Sequence, residues 1–282
     1  MNNDIRKPVS AVASPAFLLS ETANGFLSTI VGNVCCEEQH RLTGMLHLAG
    51  CIFMSTSILS LHTDDYRTKG LRKQLIDSLA EKGISDPLVL EAMRNIPRHF
   101  FLDPALDKIA YEDRAFPIGE GQTISQPYTV AYQSELLNIT PGERVLEIGT
   151  GSAYQASVLA EMGAEVFTIE RQQKLYDKVQ KSYPFAERHR KLYFFYGDGF
   201  KGLPEYAPFD KVLVTAAAPF VPQALLDQLK PEGMLVIPVD EGEAQRMKRI
   251  IKKADGRLIE ELYDVFRFVP MLKGKNEQPP KK

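Results

Sequence analysis

The stretch that decides the fold is Arg144-Val-Leu-Glu-Ile-Gly-Thr-Gly-Ser-Ala-Tyr-Gln-Ala-Ser-Val-Leu-Ala160. It opens with a short apolar run, which is typical of a buried parallel strand, and continues into two glycines. Gly149 and Gly151 have no side chains, so the backbone can turn sharply there and come close to a ligand. A helix is expected from Ala153 to Met162, and Gly163 suits its left-handed C-terminal cap. The pattern therefore predicts a strand, a glycine turn and a helix, with backbone N–H groups directed at a ligand.

Two residues around this turn indicate which ligand it takes. A dinucleotide-binding turn would have a third glycine at position 154, where this chain has Tyr154. Glu147 precedes the turn, and a carboxylate there would repel a pyrophosphate and favour a cationic ligand. S-adenosylmethionine carries a sulfonium and an ammonium group, and the turn resembles the first motif of the Rossmann-like methyltransferases. Thr150 and Ser152 are expected to contact that cofactor with the glycines. The alternative is an ordinary turn whose glycines serve geometry alone.

Strands and helical segments alternate through the rest of the chain. Two helices are expected before the sheet, one ended by Gly83 and one starting at Asp86-Pro87, and both are expected to cover the cofactor cleft. This order predicts an α/β fold of the Rossmann-like methyltransferase type, a doubly wound and mostly parallel sheet with helices on both faces. Further strands are expected at residues 165–169, 192–196, 209–217 and 233–239, with a helical segment at 221–229.

Acidic residues follow the second and third predicted strands. Glu170 lies about 20 residues after Gly149, the spacing at which a carboxylate grips the ribose hydroxyls of a bound nucleoside. Asp198 lies between two glycines, where it could accept a hydrogen bond from an adenine amino group, with Gly199 letting the ring approach the backbone. The alternatives are a surface acid at a helix start for Glu170 and common turn chemistry for Asp198.

A segment upstream of the glycine turn makes the resemblance specific. Residues 116–130 include Gly121-Gln-Thr-Ile-Ser125, and this segment closely resembles the signature of the protein-L-isoaspartate (D-aspartate) O-methyltransferases. The likeness covers residues 69–272. The departures are Ala153 where the family usually has glycine, which is expected to be tolerated in a first helical turn, and Tyr128 where it often has histidine. Further matching segments are Pro97-Arg-His-Phe100, residues 147–152 with Tyr154-Gln155, residues 214–219, residues 229–233 and Arg267-Phe-Val-Pro270.

The resemblance implies a repair enzyme that moves a methyl group from S-adenosylmethionine to the free carboxylate of L-isoaspartyl residues in damaged proteins. That carboxylate is already ionised at neutral pH, so attack on a sulfonium methyl needs alignment rather than a general base. The resemblance makes Ser125 the active-site residue, whose hydroxyl would orient the substrate carboxylate. It also implies substrate contacts from Thr123 and Ile124, from Thr215, Ala216 and Ala217, and from the wall formed by residues 267–270. The alternatives are a turn serine that caps a local N–H at Ser125, close helix-to-strand packing at residues 215–218 and an edge strand at residues 267–270.

The composition bounds the class of protein. At 282 residues, 44% hydrophobic and 25% charged, the chain can bury one sizeable core. A formal net charge of −2 gives no electrostatic basis for binding nucleic acid. Cys35, Cys36 and Cys51 lack the spacing of zinc ligands with histidines, so no metal is expected. Because no cysteine follows position 51, the catalytic part suits a reducing cytoplasm. The protein is also expected to be a monomer.

The two ends of the chain differ from the middle. Residues 1–62 show no sustained periodicity and are expected to be a disordered extension or the product of a translation start placed too far upstream of Met54. The Leu48-Ala-Gly-Cys51 segment resembles a lipoprotein cleavage box, but the apolar run before it is short. Residues 45–61 are also too few for a membrane span, so no membrane partner is expected. The methyltransferase domain is expected at residues 63–272, and a polar, disordered tail at 273–282.

Two other functional classes stay open on the residues alone. A small NAD-dependent reductase would use the same strand and turn, although Tyr154 and Glu147 disfavour it. A non-catalytic adapter that binds the cofactor and recognises damaged termini is the other alternative, and the intact Thr-Ile-Ser segment counts against it.

Overall fold

The structure is a computed structural model that describes residues 63–276. The predicted N-terminal extension and residues 277–282 lie outside the described residues.

Seven strands form one mixed sheet in the order β5-β4-β3-β6-β7-β8-β9. Strands β3 to β7 are parallel, whereas β8 and β9 join as an antiparallel extension. Because β3 pairs with both β4 and β6, the strand order reverses at β3, and ligands bind at such switch points. The strands are β3 (Arg144–Ile148), β4 (Glu165–Glu170), β5 (Leu192–Tyr196), β6 (Phe209–Val214), β7 (Leu229–Asp240), β8 (Gln245–Lys252) and β9 (Leu258–Phe266).

Helices cover both faces of this sheet, and a small hairpin stands apart from it. Asp65 and Asp86 cap the first two helices by accepting hydrogen bonds from the backbone N–H groups of Thr68 and Leu88. The helices are α1 (Tyr66–Glu81), α2 (Pro87–Asn95), α3 (Pro127–Leu137), α4 (Tyr154–Glu161), α5 (Gln173–Ser182) and α6 (Gln223–Asp227). The hairpin consists of β1 (Phe116–Gly119) and β2 (Gln122–Ile124).

The core lies in two layers on either side of the sheet. Val145 of β3 belongs to the cluster that packs beneath α1 to α5, whereas Leu146 belongs to the cluster beneath α6. Both side chains are completely buried, as the continuous apolar run of a central parallel strand requires. The predicted doubly wound α/β fold is confirmed by this arrangement.

The first two helices do not cover the cofactor cleft, contrary to the prediction. Helix α2 packs against α1, α3 and α4, because apolar side chains such as Leu79 and Val89 complete the helical layer there. The cleft is bordered instead by the β1–β2 hairpin and the residues that follow it, up to Ser125.

The strands and helices at the C-terminal end of the sheet differ from those predicted. Strand β6 ends at Val214 rather than at position 217, because the Thr215 hydroxyl turns back and donates to the carbonyl of Ile148 at 2.9 Å. Helix α6 is limited to five residues, since β7 already begins at Leu229. The antiparallel strands β8 and β9 were not predicted.

The domain also continues beyond its predicted end at residue 272. The Asn276 backbone N–H donates to the Arg171 carbonyl at 2.8 Å, and the Arg171 side chain donates to the Gly274 carbonyl at 3.0 Å. The Lys273 ammonium lies 5.7 Å from the centroid of the Phe200 ring. Residues 273–276 are therefore held on the domain by backbone hydrogen bonds, which corrects the prediction of a disordered tail starting at Lys273.

Candidate active site

A cavity lies at the carboxyl ends of β3, β4 and β6, where the strand order reverses. It brings together residues from Gln122 to Leu272, which include most of those predicted from sequence. The predicted residues among its lining are Thr123, Ile124, Ser125, Gly149, Thr150, Gly151, Ser152, Glu170, Gly199, Thr215 and Ala216.

The floor of the cavity is the glycine turn after β3. Gly149 has a φ of +104°, and a Cβ atom built there would lie 2.5 Å from the Thr215 Oγ1 atom. That hydroxyl donates to the carbonyls of Ile148 and Gly149, both at 2.9 Å. Only glycine fits this position, because both the backbone conformation and the close approach of Thr215 exclude a side chain.

Ala153 follows the turn in a conformation that was not predicted. Its φ is +68°, and it lies at the N-cap of α4 rather than in the first helical turn. A left-handed backbone costs an alanine roughly 1–2 kcal/mol, whereas glycine adopts it freely. The expectation that alanine simply suits the first helical turn was therefore wrong. The strain accounts for the glycine that the family usually has here.

Glu170 stands at the end of β4 with its carboxylate on the cavity wall. One carboxylate oxygen accepts from the Gly151 backbone N–H at 2.9 Å, and the other accepts from that of Gln172 at 2.7 Å. Burial raises the pKa of this carboxyl above its ordinary value, although both backbone hydrogen bonds oppose the shift. The lone pairs that remain can accept hydroxyl groups of a ligand, as a ribose-binding acid requires.

Glu147 does not line the cavity, so the structure separates it from the other predicted cofactor residues. Its side chain is completely buried on the same face of β3 as Val145, beneath the α1–α5 layer. Neither carboxyl oxygen has a well-formed hydrogen bond among residues 63–276, and burial raises its pKa to about 8, against the opposing effect of the neighbouring Thr168 hydroxyl. The group is mostly protonated at neutral pH, so it does not place a negative charge beside the ligand, which corrects the prediction.

Asp198 and Ala217 also lie outside the cavity lining, at its margin. One carboxylate oxygen of Asp198 accepts from the Phe200 backbone N–H at 3.0 Å, so this side chain stabilises the turn that carries Gly199. Ala217 is buried, and its N–H donates to the Val269 carbonyl at 2.8 Å. Ala217 thereby holds residues 269–272 against the cavity rather than facing it.

A second depression opens beside the first and shares part of its wall. The two have Ser125, Thr123, Thr215 and Val269 in common, so they meet at these side chains. The rest of the second depression, called here the outer groove, is lined mainly by neutral and aromatic residues. Its other lining residues are Ala115, Gln126, Tyr128, Thr129, Ala244, Val265, Phe266, Arg267 and Phe268.

Ser125 lies at this junction, directly before helix α3. The first turn of α3 already binds a carboxylate, because Pro127 has no N–H and the Tyr128 backbone N–H donates to the Asp113 carboxylate at 2.8 Å. The Ser125 carbonyl accepts a hydrogen bond of 2.7 Å from the Arg98 guanidinium. Of the two histidines among residues 63–276, His99 is bonded to the Tyr111 hydroxyl at 2.7 Å and His189 lies 3.1 Å from the Glu161 carboxylate, as expected of structural histidines. The arrangement suits a hydroxyl that orients an anion.

Comparison with known proteins decides the family. The family model of protein-L-isoaspartate (D-aspartate) O-methyltransferase matches residues 70–276. The chain belongs to this family. Its match ends at Asn276, the last described residue, in agreement with the backbone hydrogen bonds that hold that segment on the domain.

Curated relatives and solved structures agree with the assignment. The protein-L-isoaspartate O-methyltransferase of Christiangramia forsetii is 53% identical over 213 residues, covering 76% of this chain and 99% of the relative. That of Cytophaga hutchinsonii is 53% identical over 209 residues, covering 74% and 94%. A putative protein-L-isoaspartate O-methyltransferase from Plasmodium falciparum, solved with S-adenosyl-L-homocysteine, is 26% identical with a TM-score of 0.62, covering 72% and 98%.

Family membership confirms the predicted fold, enzyme class and cofactor. It excludes the dinucleotide-dependent reductase as an interpretation of the glycine turn. Among residues 63–276, no group of three or more His, Cys, Asp or Glu side chains is arranged to hold a metal ion. None of the helices described is both long and apolar enough to cross a membrane.

Sequence reasoning missed several residues of the cavity. Arg171 and residues 271–272 line it because the C-terminal segment returns across the strand ends, which no local pattern indicates. Gln155 was noted only as part of a family motif, and it lines the cavity from the first turn of α4. Arg98 was likewise noted only within the Pro97-Arg-His-Phe100 match, although its guanidinium contacts Ser125.

Proposed function

We propose that this chain transfers a methyl group from S-adenosylmethionine to the free carboxylate of L-isoaspartyl residues in damaged proteins, with Ser125 orienting that carboxylate. The observation that carries the proposal is the position of Ser125 and Thr215. Both line the cavity at the strand ends, called here the inner cavity, and both also line the outer groove. A transferase for a protein side group needs this geometry, because cofactor and polypeptide must reach one point from different sides.

The backbone that lines the inner cavity leaves room for the cofactor where side chains would clash. The Gly149–Ser152 turn approaches closely enough that a Cβ atom at 149 would clash, and a Cβ atom at Gly199 would lie 2.4 Å from the Ile148 side chain. The turn would hold the amino-acid part, Glu170 the ribose, and Gly199 with Asp198 at its margin the adenine. S-adenosylmethionine supplies an electrophilic methyl group when it is bound.

The residues of this chain would then act by binding and orientation. The substrate carboxylate is ionised at neutral pH, so none of them needs to remove a proton from it. The Ser125 hydroxyl would donate to one carboxylate oxygen, and the other oxygen would be left free to attack the methyl group. Carboxylate and sulfonium lose their charges together as the methyl group moves. Exclusion of water from the cavity therefore favours the reaction.

Thr123, Ile124, Thr215 and Ala216 would contact the substrate peptide where it enters from the outer groove, with Ala217 holding the wall behind them. The protein would act as a monomer on damaged polypeptides, without nucleic acid, in a reducing cytoplasm. The support is the net charge of −2, the neutral groove and the lack of cysteine after position 51. The catalytic domain would comprise residues 63–276.

The Ser125→Ala variant tests the role of Ser125. Removing one positioned donor lowers the rate about 100-fold, near the lower end for such groups, because the carboxylate loses charge in the transition state. The kcat with an isoaspartyl peptide should fall by that factor, and the dissociation constant for S-adenosylhomocysteine by calorimetry should stay within about twofold. Ser182→Ala, in an exposed residue of α5, is the matched control. Wild-type turnover of Ser125→Ala would reduce Ser125 to a turn residue.

A further inference from the structure

Arg98 is a completely buried arginine whose role none of the family motifs explains. It lies in a short 3-10 turn, Arg98–Phe101, behind the active-site segment. Its guanidinium donates to the carbonyls of Ser125 at 2.7 Å, Ala110 at 3.2 Å and Arg114 at 3.4 Å. The shortest of these three hydrogen bonds is thus the one to the carbonyl of Ser125, the proposed substrate-orienting residue.

The same guanidinium also contacts the cofactor side of the site. Its central carbon lies 4.9 Å from the centroid of the Tyr154 ring. Tyr154 is the first residue of α4, directly after the glycine turn, and it lines the inner cavity. Arg98 therefore connects the segment that carries Ser125 to the helix that follows the cofactor turn.

The charge of Arg98 forms no salt bridge in the described part of the chain, and the acidic residue near it, Asp113, is already paired with the Lys82 ammonium at 2.6 Å. The Nη1 atom of Arg98 has no hydrogen-bond partner there. Burial lowers its pKa to about 10, so the group remains a cation at neutral pH. Burying a cation without a salt bridge costs folding free energy, and a neutral donor could form hydrogen bonds to the same carbonyls at a lower cost.

A second buried arginine in the same helical layer shows the contrast. Arg72 is 8% exposed, donates to the Arg94 carbonyl at 2.7 Å, and forms a two-bond salt bridge with Asp64 at 2.8 and 2.9 Å. Where this domain uses a buried arginine as a structural link, it supplies the opposite charge. Next to Ser125 no carboxylate is paired with Arg98, because Asp113 binds Lys82 and the Tyr128 N–H instead, and the proposed substrate is itself a carboxylate.

We infer that Arg98 is a positioning residue for methyl transfer, which fixes the main chain of Ser125 and supplies the positive potential that attracts the substrate carboxylate. This inference rests on the proposed function, because it takes Ser125 as the residue that receives that carboxylate. It assigns two separable effects to one side chain. The fork of hydrogen bonds places the Ser125 hydroxyl, and the charge strengthens binding of the anionic peptide.

Two substitutions separate these effects. Arg98→Gln removes the charge, so the KM for an isoaspartyl peptide should rise about 10- to 100-fold, as expected for loss of a nearby charge in a poorly screened site. Arg98→Lys keeps the charge but not the fork, so KM should stay within about threefold while kcat falls about tenfold. S-adenosylhomocysteine should bind both variants within about threefold of wild type. Arg72→Lys is the matched control and should lower thermal stability while leaving KM unchanged.

A double-mutant cycle tests whether Arg98 acts through Ser125. In the Ser125→Ala background, Arg98→Lys should no longer lower kcat, because there is no hydroxyl left to place. Arg98→Gln should still raise KM there. Equal kinetic changes for Arg98→Lys and Arg98→Gln, or KM and kcat within twofold of wild type for both, would overturn the inference.

If the glutamine variant does not fold, the wild-type enzyme answers the same question by NMR. With S-adenosylhomocysteine present, an isoaspartyl peptide should shift the Arg98 Nε–H resonance, and its normal aspartyl twin should not. An unchanged resonance on saturation with the isoaspartyl peptide would overturn the inference. Lack of methyl transfer by the wild-type enzyme would instead overturn the proposed function. Wild-type transfer with unaffected Arg98 variants would overturn the Arg98 inference alone.

Discussion

Replacing Glu147 with glutamine should make the stability of the domain less dependent on pH. Glu147 is completely buried in β3, and neither of its oxygens has a well-formed hydrogen bond among residues 63–276. Burial raises its pKa from 4.5 to about 8, so the folded protein keeps a proton that the unfolded chain has lost. Glutamine preserves the shape and cannot ionise.

The size of the effect follows from that pKa shift. Below pH 4.5 the carboxyl is neutral in both states, and its contribution to stability is fully present. As the pH rises from 4.5 to about 8, only the unfolded chain ionises, and stability falls by about 1.4 kcal/mol per pH unit. The loss attributable to Glu147 is therefore about 3 kcal/mol at pH 7 and approaches 5 kcal/mol above pH 8.

Urea unfolding of wild type and Glu147→Gln at pH 5, 7 and 8 measures this difference. The variant should be close to wild type at pH 5 and more stable by several kcal/mol at pH 8, with an unchanged dependence on urea. Glu112→Gln, in an exposed residue, is the matched control and should differ little from wild type at any pH. A Glu147→Gln difference that stays constant from pH 5 to 8 would refute the reasoning.

Two further predictions concern the cofactor turn and the chain start. Thr215→Val removes the hydroxyl that donates to the Ile148 and Gly149 carbonyls, so S-adenosylhomocysteine should bind about 5- to 10-fold more weakly by calorimetry, whereas the exposed control Thr140→Val should not change binding. A chain beginning at Met54 should match the full chain in turnover and melting temperature, because the sequence before it lacks a core-forming pattern. A chain beginning at Leu71 should melt several degrees lower, since it loses the Asp64–Arg72 salt bridge. A lower melting temperature for the chain that begins at Met54 would show that the residues before Met54 contribute to the stability of the domain.

Local sequence patterns correctly predicted the central parallel strands and the glycine turn after β3. The apolar run of β3, the glycines after it and the alternation of strands with helices lead to the observed sheet and to a cavity at its switch point. Ser125 and Thr215 lie 90 positions apart, and only the family resemblance placed them in one site. Their shared position at the two depressions depends on the hairpin and on the end of β6, which no short segment specifies.

The errors arose where orientation or distant contacts decide the outcome. Both faces of β3 are buried, so periodicity does not reveal that Glu147 is buried on the Val145 face rather than lining the cavity. The left-handed backbone of Ala153 leaves no trace in composition. Residues 273–276 look like a polar tail because their anchors, such as the Arg171 carbonyl, belong to a distant strand end.

The most direct test of the central claim is labelled methyl transfer to two peptides that differ only in one linkage, an L-isoaspartyl residue and its normal aspartyl twin. The wild-type enzyme with labelled S-adenosylmethionine should methylate the isoaspartyl peptide with saturation kinetics, and the label should be released by mild base, as expected of a methyl ester. The aspartyl twin should remain unlabelled. Equal labelling of the two peptides, or labelling of neither by a protein that binds the cofactor, would contradict the account.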